Sequence, residues 1–260
     1  MWRILLEEFV GDLRTQKVRA FLTTLAVVWG TIAIVLLLSF GEGLKRSIYD
    51  GIVNAGDHMF MVGGGETSKI FEGLPKGRGI RLTEADLELV RRSIPEVDLA
   101  SPSYGRSATA EHGKVKTRSF MEGVGPDFET LRRMLPGAGG RFLDGRDISD
   151  RRRVVFLGDS IAQRLFGRDD PIGKVILLDR LPFTVVGVMP HKMQMGMNNG
   201  PDDERIIIPA PTFRAIYGNR YVSHLLIRPR DIKEAAFVKH RIYEVLGRRY
   251  QFDPDDERAL

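Results

Sequence analysis

A chain of 260 residues with 43% hydrophobic and 28% charged residues can build a core and is not disordered by composition. Its 39 Lys and Arg against 34 Asp and Glu leave a formal charge of +5, too diluted to mark a dedicated nucleic-acid binder. The absence of cysteine excludes disulfide staples, thiolate zinc sites, iron–sulfur clusters and a cysteine nucleophile.

In residues 1–19, Trp2, Leu5, Leu6, Phe9 and Leu13 recur at helical spacing. The chain therefore opens on an amphipathic helix suited to the cytoplasmic membrane interface or to another protein chain. Residues 20–40, Ala20 to Phe40, follow without one charge. At ~1.5 Å per residue these 21 residues give about 31 Å of helix, the thickness of a bilayer's hydrocarbon core. The hydroxyls of Thr23, Thr24, Thr31 and Ser39 are tolerated there because they can bond back to their own backbone. The run is too long for a cleavable signal peptide and ends in Ser39-Phe40-Gly41-Glu42-Gly43, which is no cleavage site. Arg14, Lys17 and Arg19 before the span outnumber Lys45 and Arg46 after it. By the positive-inside rule the N-terminus is cytoplasmic and residues 41–260 are extracytoplasmic.

Residues 41–57 continue as a helical stalk with Leu44, Ile48 and Ile52 on one side and no proline from Ala20 to Asn54. Residues 58–252 read as an α+β domain of mixed sheets, hairpins and helices. His58 to Val62 is a strand ended by Gly63-Gly64-Gly65. Thr83 and Asp86 form a capping box that opens a helix stopped by Pro95. Arg106–Glu111 and Val115–Met121 form a hairpin around His112-Gly113-Lys114. Val154–Leu157 is a strand leading into a helix over Asp159–Phe166. Val175–Leu178 and Phe183–Val188 form a second hairpin, turned by Asp179 to Pro182. Ile206–Ile208 and Val222–Ile227 are strands, and Ile232–Arg249 is a helix. Residues 253–260, with Asp253-Pro254-Asp255-Asp256-Glu257-Arg258, read as an acidic tail.

Gly158-Asp159-Ser160, after an apolar strand and opening a helix, is the strongest catalytic motif. It resembles the first block of Gly-Asp-Ser-type esterases, which need an Asp-x-x-His pair. None of His58, His112, His191, His224 or His240 has Asp three residues before it, and no Gly-x-Asn-Asp block is present. Asp159 or Ser160 is better read as a helix cap. Ile172-Gly173-Lys174 is no phosphate loop, because Arg168 and Val175 stand where Gly and Ser or Thr are needed. Met189, His191, Met193, Met195 and Met197 could supply soft ligands for Cu(I), or form an apolar loop. Arg151-Arg152-Arg153 and Arg248-Arg249 read as solvated charge. No catalytic, cofactor or metal residue is assigned.

Taken in order, many segments resemble a MacB-type (FtsX-like) ABC transporter permease. They begin with Arg19-Ala20-Phe21-Leu22-Thr23 and Gly41-Glu42-Gly43 at the ends of the span. Glu122-Gly123-Val124-Gly125-Pro126-Asp127-Phe128, Gly140-Arg141-Phe142 with Asp147, and Val155–Gly158 follow. Leu165-Phe166-Gly167, Asp170-Pro171-Ile172-Gly173-Lys174, Phe183–Val188 and Ile208-Pro209 complete the series. The resemblance implies an N-terminal span, a MacB-like periplasmic core, and three more spans after Leu260, so that this chain is a fragment. It implies a cell inner-membrane permease dimer in the lipid bilayer. A separate cytoplasmic ABC ATPase subunit would bind the ATP, so this chain carries no cofactor; a periplasmic adaptor is a further possible partner. Gly158 and Gly173 become turn glycines. Two other readings compete: a membrane-anchored serine hydrolase using Ser160, and an anchored scaffold or sensor.

Overall fold

The computed structural model describes residues 17–54, 59–192 and 200–260, which fall into two compact units, 1–50 and 51–260. The amphipathic stretch at Trp2 to Leu13 and the side chains of Ile48 and Ile52 lie outside what is described.

Helix α1 runs unbroken from Lys17 to Asn54. Its stretch Lys17–Lys45 is long and apolar enough to cross a membrane, and none of it is buried against protein. Phe21, Trp29 and Leu37 are 65%, 72% and 71% exposed, so these large apolar side chains belong to no core among the described residues, as suits a helix that crosses a membrane. Thr23 and Thr31 Oγ1 donate to the carbonyls of Arg19 and Val27 at 3.1 and 2.9 Å, which hides both hydroxyls from hydrocarbon.

The second unit is α+β around one mixed eight-stranded sheet. Its strands are β1 (Phe60–Val62), β2 (Val97–His112), β3 (Val115–Val124), β4 (Val154–Gly158), β5 (Val175–Leu178), β6 (Leu181–Met189), β7 (Arg205–Pro209) and β8 (His224–Pro229). The spatial order is β1-β8-β2-β3-β7-β4-β6-β5. The far end of the long β2 also meets β5, at Ala110 and Glu111, so six strands close into a ring. β3 with β7 and β4 with β6 are parallel; the remaining pairs are antiparallel.

Helices α2 (Glu84–Ser93), α3 (Phe128–Arg132), α4 (Gly145–Ser149), α5 (Asp159–Phe166), α6 (Ala210–Tyr217) and α7 (Ala235–Tyr250) are set among the strands. β4 and β7 are buried on both faces. Val155, Leu157, Ile206 and Ile208 join the large core, while Phe156 and Ile207 join a second one with Phe128, Leu131 and Met134. That double burial explains their unbroken apolar runs.

Both hairpins and the capping box form as the sequence predicts. Asp86 accepts from Thr83 N and Oγ1 at 2.6 and 2.9 Å. The second hairpin turns more tightly than expected. Asp179 and Arg180 take φ of +47 and +71°, and β6 begins at Leu181. Asp179 offsets that strain by bonding Thr109 N and the Tyr217 hydroxyl, at 2.9 and 3.1 Å. β1 starts at Phe60, β8 at His224, and the last helix opens on a 3-10 turn before Ala235.

The family-like segments have physical reasons. Arg141 forks onto buried Asp147 at 2.6 and 3.2 Å, the contact that joins Gly-Arg-Phe to its distant Asp. A Cβ on Gly187 would sit 2.3 Å from Arg141 O, so only glycine lets the two backbones approach there. Gly173 takes φ of +78° in a turn. Gly158 instead lies against the backbone of Asp202 and Asp203, where a Cβ would come within 2.3 Å. Arg249 is not merely solvated: its Nε pairs with Asp86 at 2.7 Å and ties α7 to the start of α2.

Candidate functional site

The part of the domain nearest in sequence to α1 is stitched to the last residues of the chain. After β1, Gly65 and Glu66 donate their N–H groups to Ala259 O and Arg258 O, both at 2.9 Å. The Gly63-Gly64-Gly65 run does more than end a strand. A Cβ on Gly65 would meet Arg258 O at 2.2 Å, and one on Gly64 would meet Ile80 O at 2.1 Å.

Asp256 is buried at the centre of this junction. Its carboxylate accepts from Ser68 N and Oγ, both at 2.6 Å, and from Lys69 N at 3.1 Å. Lys69 Nζ reaches Asp253 Oδ2 and Asp255 O, each at 3.0 Å. Burial alone raises the Asp256 pKa. The bonds from Ser68, Lys69 and Arg258 outweigh it and hold the carboxyl below its ordinary value. Tyr243 donates to Leu260 O at 2.9 Å, and burial together with Glu257 and Asp256 raises its pKa. Residues 253–260 are thus packed into the folded domain, with Asp256 and Ala259 buried together with the preceding Phe252. The acidic run hid this in the sequence; its apolar flanks, Phe252 and Ala259-Leu260, were the available signal.

The motifs with chemical promise fall elsewhere. Ser160 does not cap α5, whose N-cap is Gly158, and Asp159 accepts from Gln163 Nε2 at 2.7 Å. The Ser160 hydroxyl donates straight to Asp203 Oδ2 at 3.0 Å. His191 Nδ1 lies 3.4 Å from that same oxygen and is 70% exposed. The order is Ser–Asp–His, whereas nucleophile activation needs the imidazole between serine and carboxylate. Ser160→Ala should cost about 0.5–1.5 kcal/mol, one hydrogen bond, in a urea titration. Labelling of Ser160 by a fluorophosphonate would contradict this structural role.

Lys174 pairs with Asp169 at 3.3 Å and sits over the Phe166 ring. Met189 packs in the second core, so its sulfur is committed to the interior, while Met193, Met195 and Met197 lie outside the described residues. Among the described residues, no group of three or more His, Asp or Glu side chains is arranged to hold a metal ion.

A family model described as the MacB-like periplasmic core domain matches residues 20–243. The macrolide export ATP-binding/permease protein MacB of Bdellovibrio bacteriovorus is 27% identical over 92% of this chain and 36% of its own length. That of Rhodospirillum rubrum is 30% identical over 85% and 33%. The pyoverdine export ATP-binding/permease protein PvdT of Pseudomonas savastanoi pv. phaseolicola is 28% identical over 93% and 36%. The chain thus spans about a third of the length of these curated relatives.

Among solved structures, the periplasmic region of MacB from Actinobacillus actinomycetemcomitans superposes with a TM-score of 0.63 at 17% identity, covering 78% of this chain and 89% of that one. The extracellular domain of the noncanonic ABC-type transporter YknZ from Gram-positive bacteria gives 0.62 at 16% identity, over 75% and 96%. Both share the fold.

Proposed function

Because the chain belongs to the family of the MacB-like periplasmic core domain, we propose that it is the first span and outer domain of an ABC transporter permease. In this role it does no chemistry of its own. A cytoplasmic ATPase hydrolyses ATP, and the permease, working as a dimer in the inner membrane, carries the resulting movement to the outside. α1 is the part that crosses, and the domain beyond it is the lever, with a periplasmic adaptor as its outer contact.

The observation that carries this reading is the junction. A helix of 38 residues, about 57 Å at ~1.5 Å per residue, precedes a domain whose first and last segments are bonded together. Movement delivered at either segment reaches the other through Asp256 and the Gly65–Ala259 pair. An anchored scaffold would have no need of a driving partner, and that difference is testable. The native full-length protein, purified in mild detergent, should bring an ABC ATPase activity with it, in the same polypeptide or as a bound subunit. Purification free of any ATPase would favour the scaffold and sink the permease reading.

A further inference from the structure

Arg151, the first of the three consecutive arginines that follow α4, lines an open cavity of about 320 Å³ at the end of α6. Arg214, Arg220 and Asn219 line it too, and among the described residues no acidic side chain does. Glu84 balances Arg214, and Asp150, beside Arg151 in the chain, pairs with Arg152 at 3.1 Å. Arg151 and Arg220 have no acidic partner among the described residues. Arg81 extends the cluster: its guanidinium and that of Arg220 lie 5.3 and 5.8 Å from the centre of the Tyr221 ring. It too has no acidic partner among the described residues.

α6 ends at this cavity, with Gly218 as its C-cap, and the helix dipole there offsets only about half a charge. Three guanidinium charges from three separate stretches of chain are left over. Gathering like charges costs stability through repulsion, which an anion bound among them relieves. We propose that this cavity binds a small phosphorylated molecule carrying at least two negative charges. A guanidinium stays charged at any working pH and presents its donors as a planar fork. A carboxylate has two oxygens in one plane and matches one such fork. A phosphate group directs three acceptor oxygens different ways, as arginines arriving from different elements require. The concave shape suits one small molecule better than a flat lipid surface. The inference does not rest on the permease reading, because it concerns only what the folded domain binds.

The test titrates inorganic pyrophosphate by calorimetry into the full chain in non-ionic detergent, at about 0.15 M salt so that distant charges are screened. Pyrophosphate should bind with a Kd tighter than about 5 mM, near the weak limit for so small a ligand. Arg151→Gln and Arg220→Gln should each weaken it about threefold or more, the effect of losing one exposed ion pair. Both side chains are exposed, so the urea midpoints of these variants should match wild type. Arg133→Gln is the control: it changes an exposed cation just after α3, a helix of the second core, whereas α6 packs on the large one. It should leave the Kd unchanged. If either test variant does not fold, arginine modification of the wild-type chain by phenylglyoxal decides, read by mass spectrometry. Pyrophosphate should protect Arg151 and Arg220 and leave Arg133 reacting at its own rate. No binding, equal weakening by all three variants, or no protection of Arg151 and Arg220 would each overturn the proposal.

Discussion

Asp256→Ala is expected to lower the unfolding free energy of the outer domain by about 3–4 kcal/mol, read from urea midpoints at pH 7. The substitution removes a buried carboxylate and leaves Ser68 N and Lys69 N without their acceptor. Bonds to a charged group are worth more than neutral ones, and orphaned donors add their own desolvation cost. Against a total of roughly 5–15 kcal/mol, the variant folds in the cold but is fragile at growth temperature. Asp256→Asn keeps an acceptor oxygen and should lose about half as much.

The same residue sets part of the acid response. The Asp256 carboxyl titrates below its unfolded value, so its contribution is present above about pH 4 and is lost as pH falls through the folded pKa. The Ala variant should therefore show a shallower loss of stability on acidification than wild type. An Ala variant as stable as wild type would mean that the stitched junction contributes nothing.

Leu44→Pro, made in the full-length protein, should abolish most transport per ATP hydrolysed while leaving insertion and ATPase association intact. α1 runs from Lys17 to Asn54 without a break, and a helix passes displacement along its axis because its backbone bonds act in series. Proline at residue 44 removes the bond to Phe40 O and clashes with the preceding turn, at about 3 kcal/mol or more. The Leu44 side chain is half exposed, so no packing is lost with it. The substitution also falls outside the folded unit 51–260, whose urea midpoint should not move. Wild-type transport per ATP from a correctly inserted variant would remove the stalk from the account.

Where local rules govern, the sequence was readable. The uncharged run of α1, the Thr83–Asp86 box, the Gly113 turn and the apolar strand before α5 each carry their signal within a few residues. What was hidden depends on distant partners. The first half of β2 was missed because Ser101-Pro102-Ser103 reads as a break, yet β8 pairs with it across the sheet. α3 and α4 are five residues each, too short for periodicity to register. Ser160 was given a local role as a cap, while its partner, Asp203, lies 43 positions away. Asp256 reads as one carboxylate of an acidic tail for the same reason: Ser68 and Lys69, its partners, stand nearly the whole domain earlier.

The central claim is that α1 divides a cytoplasmic segment from a domain that works outside, and the lack of cysteine makes this directly measurable. Single cysteines replace Lys17 before the apolar stretch, or the exposed Ile70 or Phe237 in the domain, with any cysteine elsewhere in the full-length protein removed. Intact cells are then treated with a membrane-impermeant maleimide. The account predicts labelling at positions 70 and 237 in intact cells, and at position 17 only after lysis. Labelling at 17 in intact cells, with 70 and 237 silent until lysis, would contradict it.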